Sequence, residues 1–276
     1  MKLIKLVLGI AVLTITLSSG IARAGVPFTN IEGVGGVALN PLAYPASDSS
    51  GTGTQVFSKP RFGIWYVNLN DVKTDWTSIG IADTFFNRLE VSYSYETIAV
   101  SGFPENLHKN NLGAKLLLVP ENAGGHNFIP AVSVGGIWKN TSDLPAGWGF
   151  DDNGTDAYLV VTKLITQLPK PVLISGGILQ TSGLATGVFG YDNESDTVFF
   201  GNVDVIVTNN LVLGVEYKEG AKFKDWKNAD YWNAHLAYLA NKNLSLIAAY
   251  LNAGDEKSTS KFGLGEGFVL SAQYSF

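Results

Sequence analysis

From Arg88 to Thr97 the chain alternates without interruption. Leu89, Val91, Tyr93 and Tyr95 stand on one side of an extended strand, and Arg88, Glu90, Ser92, Ser94 and Glu96 on the other. A side-chain period of two belongs to β structure, not to helix. One face suits hydrocarbon or a core, and the other suits water. The pattern recurs. Phe268, Leu270, Ala272, Tyr274 and Phe276 alternate with Val269, Ser271, Gln273 and Ser275. Leu211, Leu213, Val215 and Tyr217 alternate with Glu216 and Lys218, and Val203, Val205 and Val207 with Asn202 and Asp204. Trp232, Ala234, Leu236 and Tyr238 oppose Tyr231, Asn233 and His235.

With these as anchors, twelve strands are expected, at about 61–69, 76–82, 88–98, 110–119, 128–138, 155–166, 171–181, 196–207, 211–219, 230–240, 244–252 and 266–276. Lengths of roughly ten residues match a bilayer crossed at a tilt. The connections alternate in length. Phe85-Phe86-Asn87, Leu168-Pro169-Lys170, Asn209-Asn210 and Asn241-Lys242-Asn243 read as tight turns, while 99–109, 139–154, 182–195, 220–229 and 253–265 are longer and polar. Membrane barrels have short periplasmic turns and long outer loops. The fold expected is therefore all-β: a single antiparallel transmembrane barrel of about twelve strands, with ten or fourteen also compatible. A medium connection at 120–127 falls on the periplasmic side and fits less well.

After Gly25 no apolar run approaches the roughly 18 residues of a helical span. Only helices and closed barrels satisfy every backbone group in lipid. The chain has no cysteine, so disulfides contribute nothing to its stability. Lys2 and Lys5, the apolar stretch Leu6 to Leu17, and Ala22-Arg23-Ala24 form a secretory signal with its cleavage site, so the mature chain is expected to start at Gly25. An uncleaved anchor is the alternative. The division expected is 1–24 signal peptide, 25–55 N-terminal segment and 56–276 barrel. The net charge of −5 becomes more negative without the signal, whose charged residues are all basic, and this argues against nucleic acid as a partner.

In this topology Trp76, Trp138 and Trp232 fall at the outer ends of their strands, with Tyr66, Tyr158, Tyr217 and Tyr250 near the same level. They are expected to form an aromatic girdle, although aromatic residues favour strands in any case. The inward faces should carry Arg88, Glu90, Glu96, Lys115, Asn202, Asp204, Glu216, Lys218, Asn233, His235 and Gln273, either as a solute path or as a structural ladder. Strands around 129–137, 157–165, 172–180 and 244–251 are apolar on both faces, so the lumen is expected to be narrow, partly apolar or filled. The Gly-rich stretch Gly33 to Tyr44, followed by the small polar run Pro45 to Thr54, reads as a plug and linker, with a periplasmic tail or an extra strand as alternatives.

Chemistry is sparse. Gly33-x-Gly35-Gly36 lacks dinucleotide spacing. No cofactor, metal or catalytic set is indicated. Asp151 to Asp156 is oxygen-rich like a calcium turn but lacks the following bidentate Glu. His108 and His126 fall in connections, and His235 falls on the lumen face with no serine beside it. Lys218, Lys222, Lys224 and Lys227 gather at one outer loop, within reach of lipid phosphates.

The alternating C-terminal residues Phe268, Leu270, Tyr274 and Phe276 resemble the terminal strand signal read by the outer-membrane barrel assembly machinery, with Ala272 its weakest position. This resemblance covers the last strand and implies location. The stretch Asn30 to Pro41 resembles the opening of an uncharacterised proteobacterial envelope family, and the whole chain is similar in architecture to small transporter barrels for small organic compounds. The resemblances imply an outer-membrane protein surrounded by lipid and lipopolysaccharide. The function expected is passive or facilitated passage of small solutes, with preference for hydrophobic or amphipathic ones. The alternatives are a structural or export-partner protein and a lipid-modifying enzyme.

Overall fold

The computed structural model describes residues 28–47, 56–191, 194–223, 226–254 and 263–276. The signal peptide, most of the linker run and Lys224 lie outside the described residues. Fourteen strands are present among the described residues: β1 (Arg61–Leu69), β2 (Thr74–Phe85), β3 (Leu89–Val100), β4 (Leu107–Val119), β5 (Ala131–Ser142), β6 (Asn153–Ile165), β7 (Val172–Thr181), β8 (Gly183–Leu184), β9 (Phe189–Gly190), β10 (Asp196–Thr208), β11 (Leu211–Lys218), β12 (Tyr231–Leu239), β13 (Leu244–Asn252) and β14 (Glu266–Ser275). The two-residue strands β8 and β9 form a small hairpin inside one outer loop. The other twelve close into one antiparallel barrel, each paired with its neighbour in sequence. Closure comes from β1 against β14, in register from Arg61↔Ser275 to Leu69↔Gly267. A closed sheet leaves no edge with unpaired backbone groups.

The alternation decides which side faces out. Along β3, Glu90, Ser92, Ser94 and Glu96 are buried, while Leu89, Val91, Tyr93 and Tyr95 are exposed. Ile64, Ile79, Ile81, Leu112, Ile178, Leu213, Leu236 and Leu270 extend the same outward apolar belt around the barrel. A water-soluble barrel would do the reverse, so this belt calls for lipid. Trp138 and Trp232 stand outward, as a girdle requires.

Trp76 does not belong to the girdle. It is buried on the inner face of β2, where its indole N–H donates to Glu96 at 2.9 Å. Tyr158 is also inward, its ring lying over Gly135 on the neighbouring strand. Both were expected in the girdle from their place at the outer ends of their strands, but parity along the strand decides the face. Arg88 precedes β3 in the tight turn after β2, half-buried, donating to the carbonyls of Leu117 and Leu118. His108 lies inside β4 and meets the Tyr95 hydroxyl at 2.8 Å, so it is not in a connection.

The strands that are apolar on both faces have a reason. Their inner residues Ile137, Val160, Leu173, Leu179, Ile247 and Leu251 form one hydrophobic cluster with Phe28, Ile31, Val34 and Leu42 of the N-terminal segment. Residues 28–47 thus sit inside the barrel. From the outer side, the hairpin loop also folds inward, burying Leu184, Ala185 and Phe189. Asn228 of the next outer loop accepts the Ala185 N–H at 3.3 Å. Above them Phe150 packs 4.9 Å from Phe189 and 5.3 Å from Trp226, ring centre to ring centre.

Candidate functional site

The lumen is occupied by the protein's own chain. Residues 28–47 fold into a compact knot of short backbone bonds, among them Asn30 N–H to Val34 (2.8 Å), Gly36 N–H to Phe28 (3.0 Å) and Leu42 N–H to Gly35 (3.1 Å). The Asn30 side chain braces it, accepting from the N–H groups of Glu32 and Val34 and donating to Leu39. Gly33 supplies a positive φ of 83° for the turn. The segment meets the wall through side chains, not through a continuous strand pairing.

Three wall sites hold it. At the first, Glu90 accepts the N–H groups of Gly35 (2.8 Å) and Ala46 (2.6 Å), while Lys115 lies 3.0 Å from Glu90 and donates to the carbonyls of Gly35 and Tyr44. A β-carbon on Gly35 would fall 2.5 Å from a Glu90 oxygen, so only glycine permits this approach.

At the second, Glu216 accepts three consecutive N–H groups, those of Ala38 (3.1 Å), Leu39 (3.1 Å) and Asn40 (3.0 Å). Behind it runs a chain of polar contacts. Asn233 donates to Glu216 at 2.5 Å, His235 Nδ1 lies 2.9 Å from Asn233, and His235 Nε2 lies 2.7 Å from Asp204. Asn202 donates to Asp204 at 2.5 Å. Both imidazole nitrogens are therefore engaged by Asp204 and Asn233.

At the third, one oxygen of Glu32 lies 2.5 Å from Lys139 and 3.2 Å from Lys109. Lys139 also pairs with Asp156 at 2.6 Å, and Lys109 with Glu96 at 3.3 Å. Both lysines donate to the Thr186 carbonyl of the inward loop at 2.9 Å. Burial pushes the Glu32 carboxyl up, but the ammonium groups of Lys139, Lys109 and Lys218 outweigh it and hold the group at about 2. Near neutral pH Glu32 is thus a buried anion within a cationic pocket. Smaller ties complete the attachment: Gln273 with Thr29, Ser78 with Ile31, and Thr162 and Ser133 with Ala43.

Of the residues expected inside, Glu90, Glu96, Lys115, Asn202, Asp204, Glu216, Lys218, Asn233, His235 and Gln273 all face inward and are buried. Five further charged groups of the interior lie outside that set, one of them Arg61, which opens β1 and donates to the Ala46 carbonyl of the segment at 2.8 Å. Lys109 and Lys139 were assigned to outer connections, Glu32 to the N-terminal segment, and Asp156 to a calcium-like turn. Asp156 points into the lumen onto Lys139, so the run 151–156 does not converge on a cation. Parity was the available signal, since Lys109 is in phase with Lys115, and Lys139 with Ser133. On the outside, Phe268, Leu270, Tyr274 and Phe276 of the terminal signal are exposed along one line.

A family model described as protein of unknown function, DUF3034, matches residues 24–273. The chain belongs to this family. No curated protein matches the sequence. Among solved structures, KdgM porin is similar at 13% identity over 78% of this chain and 99% of that one, with a TM-score of 0.55. A KdgM porin in complex with disordered oligogalacturonate gives 14% identity, coverage of 78% and 99%, and a TM-score of 0.54. NanC porin gives 10% identity, 78% and 98% coverage, and a TM-score of 0.51. At these identities the likeness is one of fold. This DUF3034 chain has the closed twelve-stranded barrel of outer-membrane porins, with its own N-terminal segment in the lumen.

Proposed function

We propose that this DUF3034 protein is an outer-membrane channel for small solutes, with residues 28–47 as a displaceable plug. The observation that supports this most is how the segment is attached. Its backbone N–H groups are capped by wall carboxylates and its carbonyls by wall lysines and serines. Such groups keep partners in water once the segment leaves, while the apolar inner patch of Ile137, Val160, Leu173 and Ile247 would be uncovered with them. The barrel wall itself is complete without the segment, because all twelve strand pairings lie within residues 61–275. The porins of the same fold add weight to a transport reading, and lipid and lipopolysaccharide are the partners that the outer belt calls for.

A second reading is a permanently closed barrel with a structural or export-partner role. It draws on the pairing of the lumen charges, which lock the interior as a ladder would. Single-channel recording in planar bilayers separates the two. The full mature chain is expected to be closed or to open briefly, and a variant lacking residues 28–47 to conduct steadily. Silence from both correctly folded proteins would overturn the channel and leave the closed barrel.

A further inference from the structure

The second wall site ends in an imidazole, and the protons there can be counted. Every group that meets Glu216 is a donor: the N–H groups of Ala38, Leu39 and Asn40, and the Asn233 amide. Its carboxyl oxygens therefore carry no proton. That fixes the Asn233 amide, whose nitrogen must face Glu216 and whose oxygen must face His235 Nδ1 at 2.9 Å. An amide oxygen only accepts, so Nδ1 carries a proton. On the other side Nε2 lies 2.7 Å from Asp204, whose second oxygen accepts from Asn202. A carboxylate also only accepts, so Nε2 carries a proton as well. The ring is an imidazolium, held between Asp204 and the Asn233 oxygen.

The arrangement spans three strands. Asp204 stands on β10 and His235 on β12, with Gly214 of β11 between them in register. A β-carbon on Gly214 would collide with both side chains, so the contact across β11 needs glycine there. The charged groups facing the ring are Asp204 from β10 and Glu216 from β11. At this level β13 presents Ala249 and β14 presents Val269. The ring's own strand adds Asn233 and Ala237, and the segment adds Ala38, Leu39 and Asn40, none of which titrates.

We propose that His235 is a proton-operated latch on the plug, with Asn233 as its moving part. The proposal rests on the channel reading for its purpose, but the latch can be measured without any current. Loss of one proton to hydroxide in solution leaves the ring a single N–H. The charge-assisted bond to Asp204 is the stronger of the two, so Nε2 keeps its proton and Nδ1 becomes an acceptor. Two acceptors then face each other across 2.9 Å, and the Asn233 amide relieves this by turning over. Its nitrogen now serves His235, and its oxygen confronts Glu216. The carboxylate loses a donor and meets a lone pair, which displaces Oε2. Ala38 hangs on Oε2 alone and Asn40 on Oε1 alone, so Ala38 is released first. The hold on the segment is complete while the imidazolium lasts and weakens as pH rises through its deprotonation.

The test uses the full mature chain folded in detergent, with amide exchange corrected for its intrinsic pH dependence and the imidazole read by its nitrogen resonances. Near neutral pH both ring nitrogens are expected to carry protons. Raising the pH towards about 10 is expected to lower the protection of the Ala38 N–H by about tenfold as the ring titrates, the size of one charge-assisted bond. Asn40 should lose less, and Gly35, which Glu90 holds, should not respond. His235→Gln has one donor and one acceptor, so it cannot donate on both sides. It should show the lowered Ala38 protection already at neutral pH and no further response. A neutral ring at neutral pH, a ring still charged at about pH 10, or a titration that leaves Ala38 unchanged overturns the latch. Equal losses at Ala38 and Gly35 would mean general loosening and overturn it too. The pH series on the parent chain decides the matter even if His235→Gln does not fold. A working latch in a barrel that stays silent without residues 28–47 would keep the latch and discard the channel.

Discussion

Wall and plug are held by different means. Each wall strand shares a ladder of backbone bonds with two neighbours, and the ring of ladders has no end. The plug has few such bonds to the wall and depends on a handful of charged side chains, chiefly Glu90, Lys115, Glu216 and the Glu32 cluster. A ladder in lipid cannot exchange its partners for water, because none is present. The plug's contacts lie between polar side chains of the lumen and one short segment, each independent of the ladders. The same chain thus contains a part built to stay and a part whose attachments can be exchanged singly.

The largest expected effect comes from removing residues 28–47 altogether. The barrel should keep its strand content by circular dichroism, and conductance should change from closed to steadily open. Collapse of the strand signal would break the comparison at once. Next comes Glu216→Leu, which leaves three buried N–H groups without acceptors and should loosen the plug by about 3–5 kcal/mol. Hydrogen exchange at Ala38, Leu39 and Asn40 should rise while exchange in β11 and β12 stays low.

The pH response follows in size. Glu32 titrates near 4.5 when the segment is free and at about 2 in place. A lowered value means that its contribution is complete above 4.5 and is lost as pH falls through about 2. Plug protection should therefore decline across that window, and Glu32→Gln should remove this component. A rise in protection on acidification would contradict the ion cluster. The smallest effect belongs to the outer belt: Trp232→Phe should leave the stability of the barrel within about 0.5 kcal/mol of the parent and plug exchange unchanged.

The wall was legible because each strand repeats a two-residue rule about a fixed boundary. Even the twelve-strand count could be read, since turns such as Asn209-Asn210 contrast with the long loops. The girdle was read by position along the strand, and Trp76 and Tyr158 show that position alone does not give the face. The plug was legible as one of three options. Its contents were not, because Asn30 to Tyr44 has no period and its wall partners lie 47 to 178 residues away in sequence. Asp156 was read with the acidic run before it, although it stands in an expected strand; Lys109 and Lys139 were missed for a simpler reason. Their strands run on past the apolar alternation, and charged residues at strand ends look like loop.

The plug is continuous with the wall. Ser47 reaches the Ser58 hydroxyl at 2.5 Å and Thr84 at 3.1 Å, at the turn-side end of β2. A segment joined there cannot be diluted away. Its return is intramolecular, with an effective concentration set by the tether and not by how much protein the membrane holds. Each barrel therefore carries its own lumen segment in fixed one-to-one supply, and anything that displaced the segment would compete with a local concentration that never falls.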